Sequence, residues 1–151
     1  MNERGTLDVL RHGIEVVGLR APLSLTQFRP AMGMNPDITA RYGANRLRVI
    51  RQLRYSEANG NCLDLVLFLN GIPVATVELK TDFTQSCEAA MDQYRNDRLP
   101  YDAQTKRREP LLAFKRGAVV HFAMSDSEIM MATKLDGENT FFLPFNKGRK
   151  D

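Results

Sequence analysis

The sequence is short of the side chains on which many catalytic sites depend. The 151 residues include no tryptophan, two cysteines and two histidines. Cys62 and Cys87 form no CxxC pair and have no histidine nearby, so they predict neither a zinc site nor a disulfide framework. His12 and His121 leave little material for a histidine-activated nucleophile. We therefore expect any chemistry in this chain to depend on carboxylates and lysine.

Long hydrophobic runs are absent as well. No apolar stretch reaches the roughly 18 residues of a transmembrane helix, and the first residues lack the apolar segment of a secretory signal. We therefore expect a cytoplasmic protein with no membrane partner. The composition, 43% hydrophobic and 26% charged, is typical of a single globular domain with a real core.

Positive charge is in excess and unevenly distributed. The net charge is +3 and the pI about 9.0, which is compatible with a polyanionic partner. Arginines are concentrated between residues 41 and 54 and again between 95 and 98. The same pattern would arise from a basic surface that simply faces water.

Hydrophobic periodicity predicts an α/β domain. The segment 63–69 is apolar on both faces, which indicates a sheet covered on both sides. Asn70-Gly71 then predicts a hairpin into a second strand. Pro22, Pro30, Gly33 and Pro36 break the chain that follows into loops and short pieces. Helices are predicted over 6–12 and 86–99, strands over 46–55, 63–69, 72–80, 111–114, 118–124 and 128–135, and an aromatic segment that packs back over 141–145.

Three charged residues lie inside the central hairpin. Asp64 stands near the start of its first strand, and Glu78 and Lys80 stand at the end of its second. A two-residue turn would place Asp64 opposite Val77 and point Glu78 to the other face. A three-residue loop with a bulge at its glycine would instead pair Asp64 with Thr76 and bring all three charges to one face. We therefore predict the three-residue loop.

This trio has a chemical rationale. Magnesium prefers oxygen ligands and can stabilise the charge that develops when a phosphodiester is hydrolysed. Asp64 and Glu78 would supply carboxylates and Leu79 its main-chain carbonyl, while Lys80 would orient or deprotonate the water. The alternative is that these polar residues only mark strand ends, since Glu-x-Lys alone is a weak pattern.

At this point the sequence resembles a known family. The segment NCLDLVLFLNGIPVATVELK (61–80) is similar to the nuclease core of type I restriction enzyme R subunits, in the PD-(D/E)xK nuclease superfamily. The flanking segments RQLRYS (51–56), DQYRNDR (92–98), VHFA (120–123) and FLPFN (142–146) agree, so the resemblance covers residues 6–148. It implies a restriction-endonuclease-like fold, a mixed central β-sheet flanked by helices. We expect the endonuclease domain over 1–145 and the start of a linker to missing translocase domains over 146–151.

The resemblance also implies roles for single residues. Asp64 and Glu78 match the metal-binding carboxylates, and Lys80 matches the catalytic lysine. Leu79, between Glu78 and Lys80, would bind the metal through its main-chain carbonyl. Mg²⁺ is the implied cofactor. Gln93 matches the glutamine of the family's QxxxY motif and is the fourth expected catalytic residue.

The chain departs from that motif after Gln93. Asp97 stands where the tyrosine is expected, and a tyrosine, Tyr94, follows Gln93 directly. Tyr94 therefore either takes part in the site or packs against the sheet. An acidic residue on the first helix often assists in this superfamily, and Asp8 or Glu15 would fill that place.

The parent protein implied by the resemblance is a type I site-specific deoxyribonuclease that cuts double-stranded DNA. Its partners would be modification and specificity subunits, and ATP would act only through motor domains, because no GxxxxGK[ST] motif occurs here. Two alternatives remain open, a catalytically silent DNA-binding or assembly module and a PD-(D/E)xK nuclease of a repair system. The candidate contacts to DNA phosphates are Arg48, Arg51, Arg54, Arg95 and Arg98.

Overall fold

A mixed six-stranded sheet forms the centre of the protein. The computed structural model describes residues 4–81 and 86–145, and its strands lie in chain order across the sheet. Only β3 and β4 run parallel, while every other neighbouring pair is antiparallel. The predicted α/β class with a mixed sheet is confirmed. The strands are β1 (Leu47–Arg54), β2 (Cys62–Leu69), β3 (Ile72–Leu79), β4 (Val120–Met124), β5 (Ile129–Ala132) and β6 (Leu143–Pro144).

Three α-helices accompany the sheet in the described ranges: α1 (Thr6–His12), α2 (Pro36–Gly43) and α3 (Cys87–Asn96). The helix α3 belongs to the crossover that makes β3 and β4 parallel, because parallel neighbours cannot be joined by a tight turn. Its buried residues, Cys87, Ala90, Met91 and Tyr94, recur at helical spacing and form the face that packs on the sheet. The predicted helix over 86–99 is thus confirmed with slightly shorter ends.

The turn between β2 and β3 differs from the prediction. Asn70 and Gly71 have φ angles of 51° and 86°, and Leu69 pairs with Ile72 across them. Two left-handed residues in a two-residue connection make a type I′ turn, the form that Asn-Gly favours. The predicted three-residue loop is therefore wrong.

A bulge within β3 corrects the register that this turn would impose. Phe68 pairs with Pro73 but Leu67 pairs with Ala75, so Val74 is the extra residue. Proline has no N–H to give to the ladder and occurs inside sheets mainly at bulges or edges. Beyond the bulge Leu65 pairs with Val77, and Asp64 therefore lies level with Glu78 rather than with Thr76.

One further prediction was wrong. The segment 111–114 is not a strand: a short 3₁₀ helix occupies Pro110–Leu112 and buries Leu112. Among the loops and short pieces predicted around Pro36, one piece is the helix α2, which was not named; proline takes its first helical position and the side chain of Asn35 caps Asp37 and Ile38. No helix in the described part of the chain is long and apolar enough to cross a membrane.

The core lies between α3 and the middle of the sheet. Leu63, Val66 and Tyr94 are fully buried there, and Phe142 packs against Tyr94 as predicted for the aromatic segment. The edge strand β1 is different, because Leu47 and Val49 remain 79% and 60% exposed. The expectation of a sheet covered on both sides therefore fails at this edge.

The hairpin turn allows a first test. Replacing Gly71 by alanine should lower the free energy of unfolding by about 1 kcal/mol, because an L side chain is strained at its φ of 86° although no atom lies within 4 Å of the added Cβ. Urea denaturation measures the change. Gly60→Ala is the control: it also has open space but no positive φ, and an equal loss there would contradict the role given to the turn.

Candidate active site

The site is built on a row of side chains that crosses three adjacent strands. Gln52 of β1, Asp64 of β2 and Glu78 of β3 stand level with one another. The carboxylate of Asp64 is held on both oxygens. Oδ1 accepts a hydrogen bond from Gln52 Nε2 at 2.8 Å, and Oδ2 accepts one from the main-chain N–H of Leu79 at 2.8 Å.

These donors make Asp64 the more acidic carboxyl of the row. Burial raises its pKa, but the hydrogen bonds with Leu79, Glu78 and Gln52 and the charge of Lys80 outweigh that effect, so the pKa of Asp64 lies below its usual value. Asp64 therefore carries a negative charge at neutral pH.

Glu78 lies in a different environment. It is fully buried, and its Oε1 accepts a hydrogen bond of 2.6 Å from Nε of Arg98, which is itself 7% exposed. Oε2 is buried and has no hydrogen-bond partner among the described residues. Burial, with the neighbouring Asp64 carboxyl, raises the pKa of Glu78 to about 7 although Arg98 acts in the opposite direction. Oε2 thus has no donor in the described chain, but the carboxyl groups of Glu78 and Asp64 lie within hydrogen-bonding reach, so a proton held by Glu78 is shared with Asp64.

Lys80 closes the row at the end of β3. Its main-chain N–H donates to the carbonyl of Met124 at 2.8 Å, which fixes the backbone, while the side chain is half-buried. It forms no ion pair within residues 4–81 and 86–145, yet its charge contributes to the low pKa of Asp64. The ammonium group therefore lies near the carboxylates but forms no ion pair with them.

The oxygen atoms of the row suit a hard cation. In the described ranges no group of three or more His, Cys, Asp or Glu residues is positioned to hold a metal. Two carboxylates and a main-chain carbonyl remain, a set that matches Mg²⁺, which takes few protein ligands and keeps several waters. The unsatisfied Oε2 of Glu78 is the structural observation that fits such an ion.

Comparison with known proteins decides the family. Residues 37–140 match the family model for the type I restriction enzyme R protein N terminus. The chain belongs to this family. No curated protein and no solved structure matches it. Membership agrees with the resemblance drawn from the sequence and removes the repair-system alternative.

The residues around the family's motif are now placed. Gln93 is half-buried on α3, and its side-chain Oε1 is buried without a partner in the described chain. Tyr94 is fully buried, and its hydroxyl shares a 2.8 Å hydrogen bond with Thr76 Oγ1, which also bonds His121 Nδ1 at 2.8 Å. Of the two alternatives left open for Tyr94, the structure shows packing against the sheet.

The candidate DNA contacts fall into three groups. Arg48, Arg51 and Arg54 are exposed on the edge strand β1. Arg95 pairs with Glu88 and Asp92 on the surface of α3. Arg98, expected on the surface, is instead buried against Glu78, so its guanidinium belongs to the site.

The first helix does not contribute to the row. Asp8 bonds Arg4 and His12, and together with Glu15 it lines an open cavity of about 1020 Å³ beside Lys115. Asp64, Glu78 and Lys80 are not among the residues that line this cavity. The expectation that Asp8 or Glu15 assists the trio is therefore not met.

Sequence reasoning placed neither of two residues that touch the carboxylates, Gln52 and Arg98, beside the trio. Gln52 was treated only as part of β1, although its position opposite Asp64 follows once the β1–β2 register is known. Arg98 was counted with the basic surface, because its burial depends on how the chain leaves α3. No local signal distinguishes either residue.

The buried pair leads to a second prediction. Arg98→Met should lower the free energy of unfolding by about 3 kcal/mol at pH 8, the lower end for a broken buried pair, because Glu78 can take up a proton. Urea denaturation gives the value. Arg95→Met is the matched control, since Arg95 pairs with exposed carboxylates worth about 1 kcal/mol or less. Similar losses in both variants would contradict the importance of the Glu78 pair.

The raised pKa of Glu78 predicts a pH dependence of stability. The folded protein holds this proton up to about pH 7, whereas the unfolded chain releases it near 4.5. The native state thus binds more protons in this window, and the contribution of Glu78 to stability falls as pH rises from about 4.5 to about 7.

His121 acts in the opposite direction. Burial lowers its pKa to about 4 from 6.5, so its contribution rises with pH in that interval. The quantity to measure is therefore the unfolding free energy of wild type minus that of Glu78→Gln, which leaves His121 in both proteins. We expect this difference to fall between pH 4.5 and 7, and a flat or rising difference would refute the assignment.

Proposed function

We propose that this domain is a magnesium-dependent endonuclease that hydrolyses phosphodiester bonds of double-stranded DNA. The observation that supports it most is the unsatisfied buried Oε2 of Glu78 next to the ionised Asp64. When both carboxyl groups are ionised, two negative charges stand side by side and Oε2 has no donor in the described chain, which is unfavourable. A cation bound during function removes this cost.

Each residue of the row has a part in this proposal. Asp64 and Glu78, with the carbonyl of Leu79, would hold Mg²⁺, which supplies charge neutralisation at the phosphate and lowers the pKa of a bound water. Lys80, near the carboxylates and in no ion pair with another described residue, would orient the attacking water or accept its proton. Gln93 has a buried, unpaired amide oxygen, which suits an additional contact to water in the site.

The arginines of β1 provide a surface for DNA. Arg48, Arg51 and Arg54 are exposed on the strand that also carries Gln52, so they lie on the flank of the row. Contacts to phosphates would hold the duplex without selecting a sequence. Arg95, bound to two exposed carboxylates, would contribute less unless DNA displaces them.

The family supplies the wider setting of the proposal. A type I restriction enzyme is a multi-subunit assembly that acts on DNA, and we propose that the domain works beside modification and specificity subunits in the cytoplasm. ATP would be used by motor domains elsewhere in the R protein. Sequence recognition would then belong to the specificity subunit, while this domain cuts.

One observation favours a second candidate function. Arg98 already places a cation on Glu78, and fewer than three acidic, histidine or cysteine side chains converge on the row in the described chain. A module that keeps the fold but binds DNA without cutting it would have the same appearance. The two candidates differ in whether a divalent ion binds at Glu78.

Calorimetric titration of Mg²⁺ and Mn²⁺ distinguishes them. We expect wild type to bind either ion and Glu78→Gln to bind at least about tenfold more weakly, because the variant retains the shape of the side chain but loses a charged ligand. Glu57→Gln, which removes an exposed acid outside the row, should bind like wild type. Titrations with and without a short DNA duplex test whether phosphates must complete the ligand shell.

Each outcome favours one of the two candidate functions. No binding by wild type in the presence of the duplex would overturn the nuclease proposal and favour the non-cutting module. If wild type binds, Lys80→Met should still bind the ion but abolish DNA cleavage by the full restriction assembly. Full cleavage by that variant would remove Lys80 from the mechanism.

A further inference from the structure

We propose that Gln52 is a positioning residue for Asp64, held in a left-handed backbone conformation so that its amide reaches the carboxylate. The inference rests on the proposed function, because it assigns Gln52 a part in the same metal site. Three independent features of the residue support it: its backbone, its register and its two side-chain bonds.

The backbone of Gln52 is unusual for a strand. Its φ is 50°, a value that glycine tolerates and that glutamine in the middle of a strand rarely adopts. The residues on either side keep the ladder, since Arg51 pairs with Leu65 and Leu53 with Leu63. The departure is therefore confined to the one residue that lies level with Asp64. Local strain of this kind is concentrated at functional sites in proteins.

The side chain of Gln52 is fixed at both ends of its amide. Nε2 donates to Asp64 Oδ1 at 2.8 Å, and Oε1 accepts from Cys62 Sγ at 3.3 Å. With Oε1 on the thiol, the N–H group of the amide points to the carboxylate. Cys62 thereby has a role that does not require its reactivity.

The Asp64 carboxylate is therefore held by a hydrogen bond at each oxygen. Gln52 holds Oδ1 and the N–H of Leu79 holds Oδ2, so the plane of the Asp64 carboxylate is set from two directions. Each oxygen accepts one such bond and retains a lone pair for another partner. Residues that orient a metal ligand in this way commonly affect metal affinity by about 10- to 100-fold.

The simpler explanation is that Gln52 only bends the edge strand. Under that explanation the left-handed backbone matters and the amide does not. Gln52→Gly separates the two, because glycine accepts a φ of 50° without strain while removing the amide. Lys106→Gly is the matched control. Lys106 also has a left-handed backbone, with φ of 57°, but it lies in the loop that follows α3 and is not part of the row.

The experiment measures Mn²⁺ affinity and unfolding on the same preparations of the 151-residue chain, with the duplex present. We expect Gln52→Gly to unfold at the same or a higher urea concentration than wild type and to bind Mn²⁺ about tenfold more weakly. Lys106→Gly should bind Mn²⁺ as wild type does. Wild-type affinity in Gln52→Gly, with Glu78-dependent binding intact, would overturn the role of Gln52 alone. Absence of any Glu78-dependent binding in wild type would instead overturn the proposed function, and this inference with it.

Discussion

The ion pair between Glu78 and Arg98 is the interaction on which the site depends. A carboxyl group with no exposed surface would normally be replaced by an apolar residue, because its burial costs several kcal/mol unless it is paired. Arg98 lies two residues after the end of α3, so the pair also joins the end of that helix to the end of β3. Yet it satisfies only Oε1 of Glu78 and leaves Oε2 unpaired. The same carboxyl group also lies within hydrogen-bonding reach of Asp64, so the pair with Arg98 and the proton shared with Asp64 together determine its charge.

The central hairpin shows how far sequence reasoning reaches. Alternating and continuous apolar patterns were enough to predict both strands and the helix after them, because these patterns depend on local periodicity. The register was not predicted correctly. Asn70-Gly71 forms the two-residue turn that its composition favours, and the bulge at Val74 then adds the residue that the predicted loop would have supplied. Asp64 and Glu78 do lie on one face, as expected, but the bulge in β3 brings them there and not the predicted loop. Pro73, a residue typical of bulges, was the overlooked signal.

Arg98, Gln52 and Leu112 show why the rest could not be predicted. The position of each depends on elements distant in sequence. Arg98 is buried by its bond to Glu78 of β3, and Gln52 bonds Asp64 of β2. Leu112 is buried in the core that packs on the sheet. A basic residue after a helix looks like surface in any single sequence, and a glutamine within a strand looks neutral. The helix α2 was missed for a different reason, because proline breaks a helix in its interior but favours its first turn.

Three unfavourable features of the protein meet at the row. Gln52 has a strained backbone, Glu78 has an unsatisfied buried oxygen and a raised pKa, and both flank Asp64 in one row across three strands. Each is tolerable alone, since a folded domain can carry one or two such costs. Left-handed backbone also occurs at Lys106 and Lys115, so strain alone does not mark the site; the row is distinguished by having strain, a raised pKa and two adjacent carboxyl groups together. Because the ion and the DNA phosphates proposed here would relieve the charge and the unsatisfied oxygen together, one function accounts for costs that folding alone leaves unexplained.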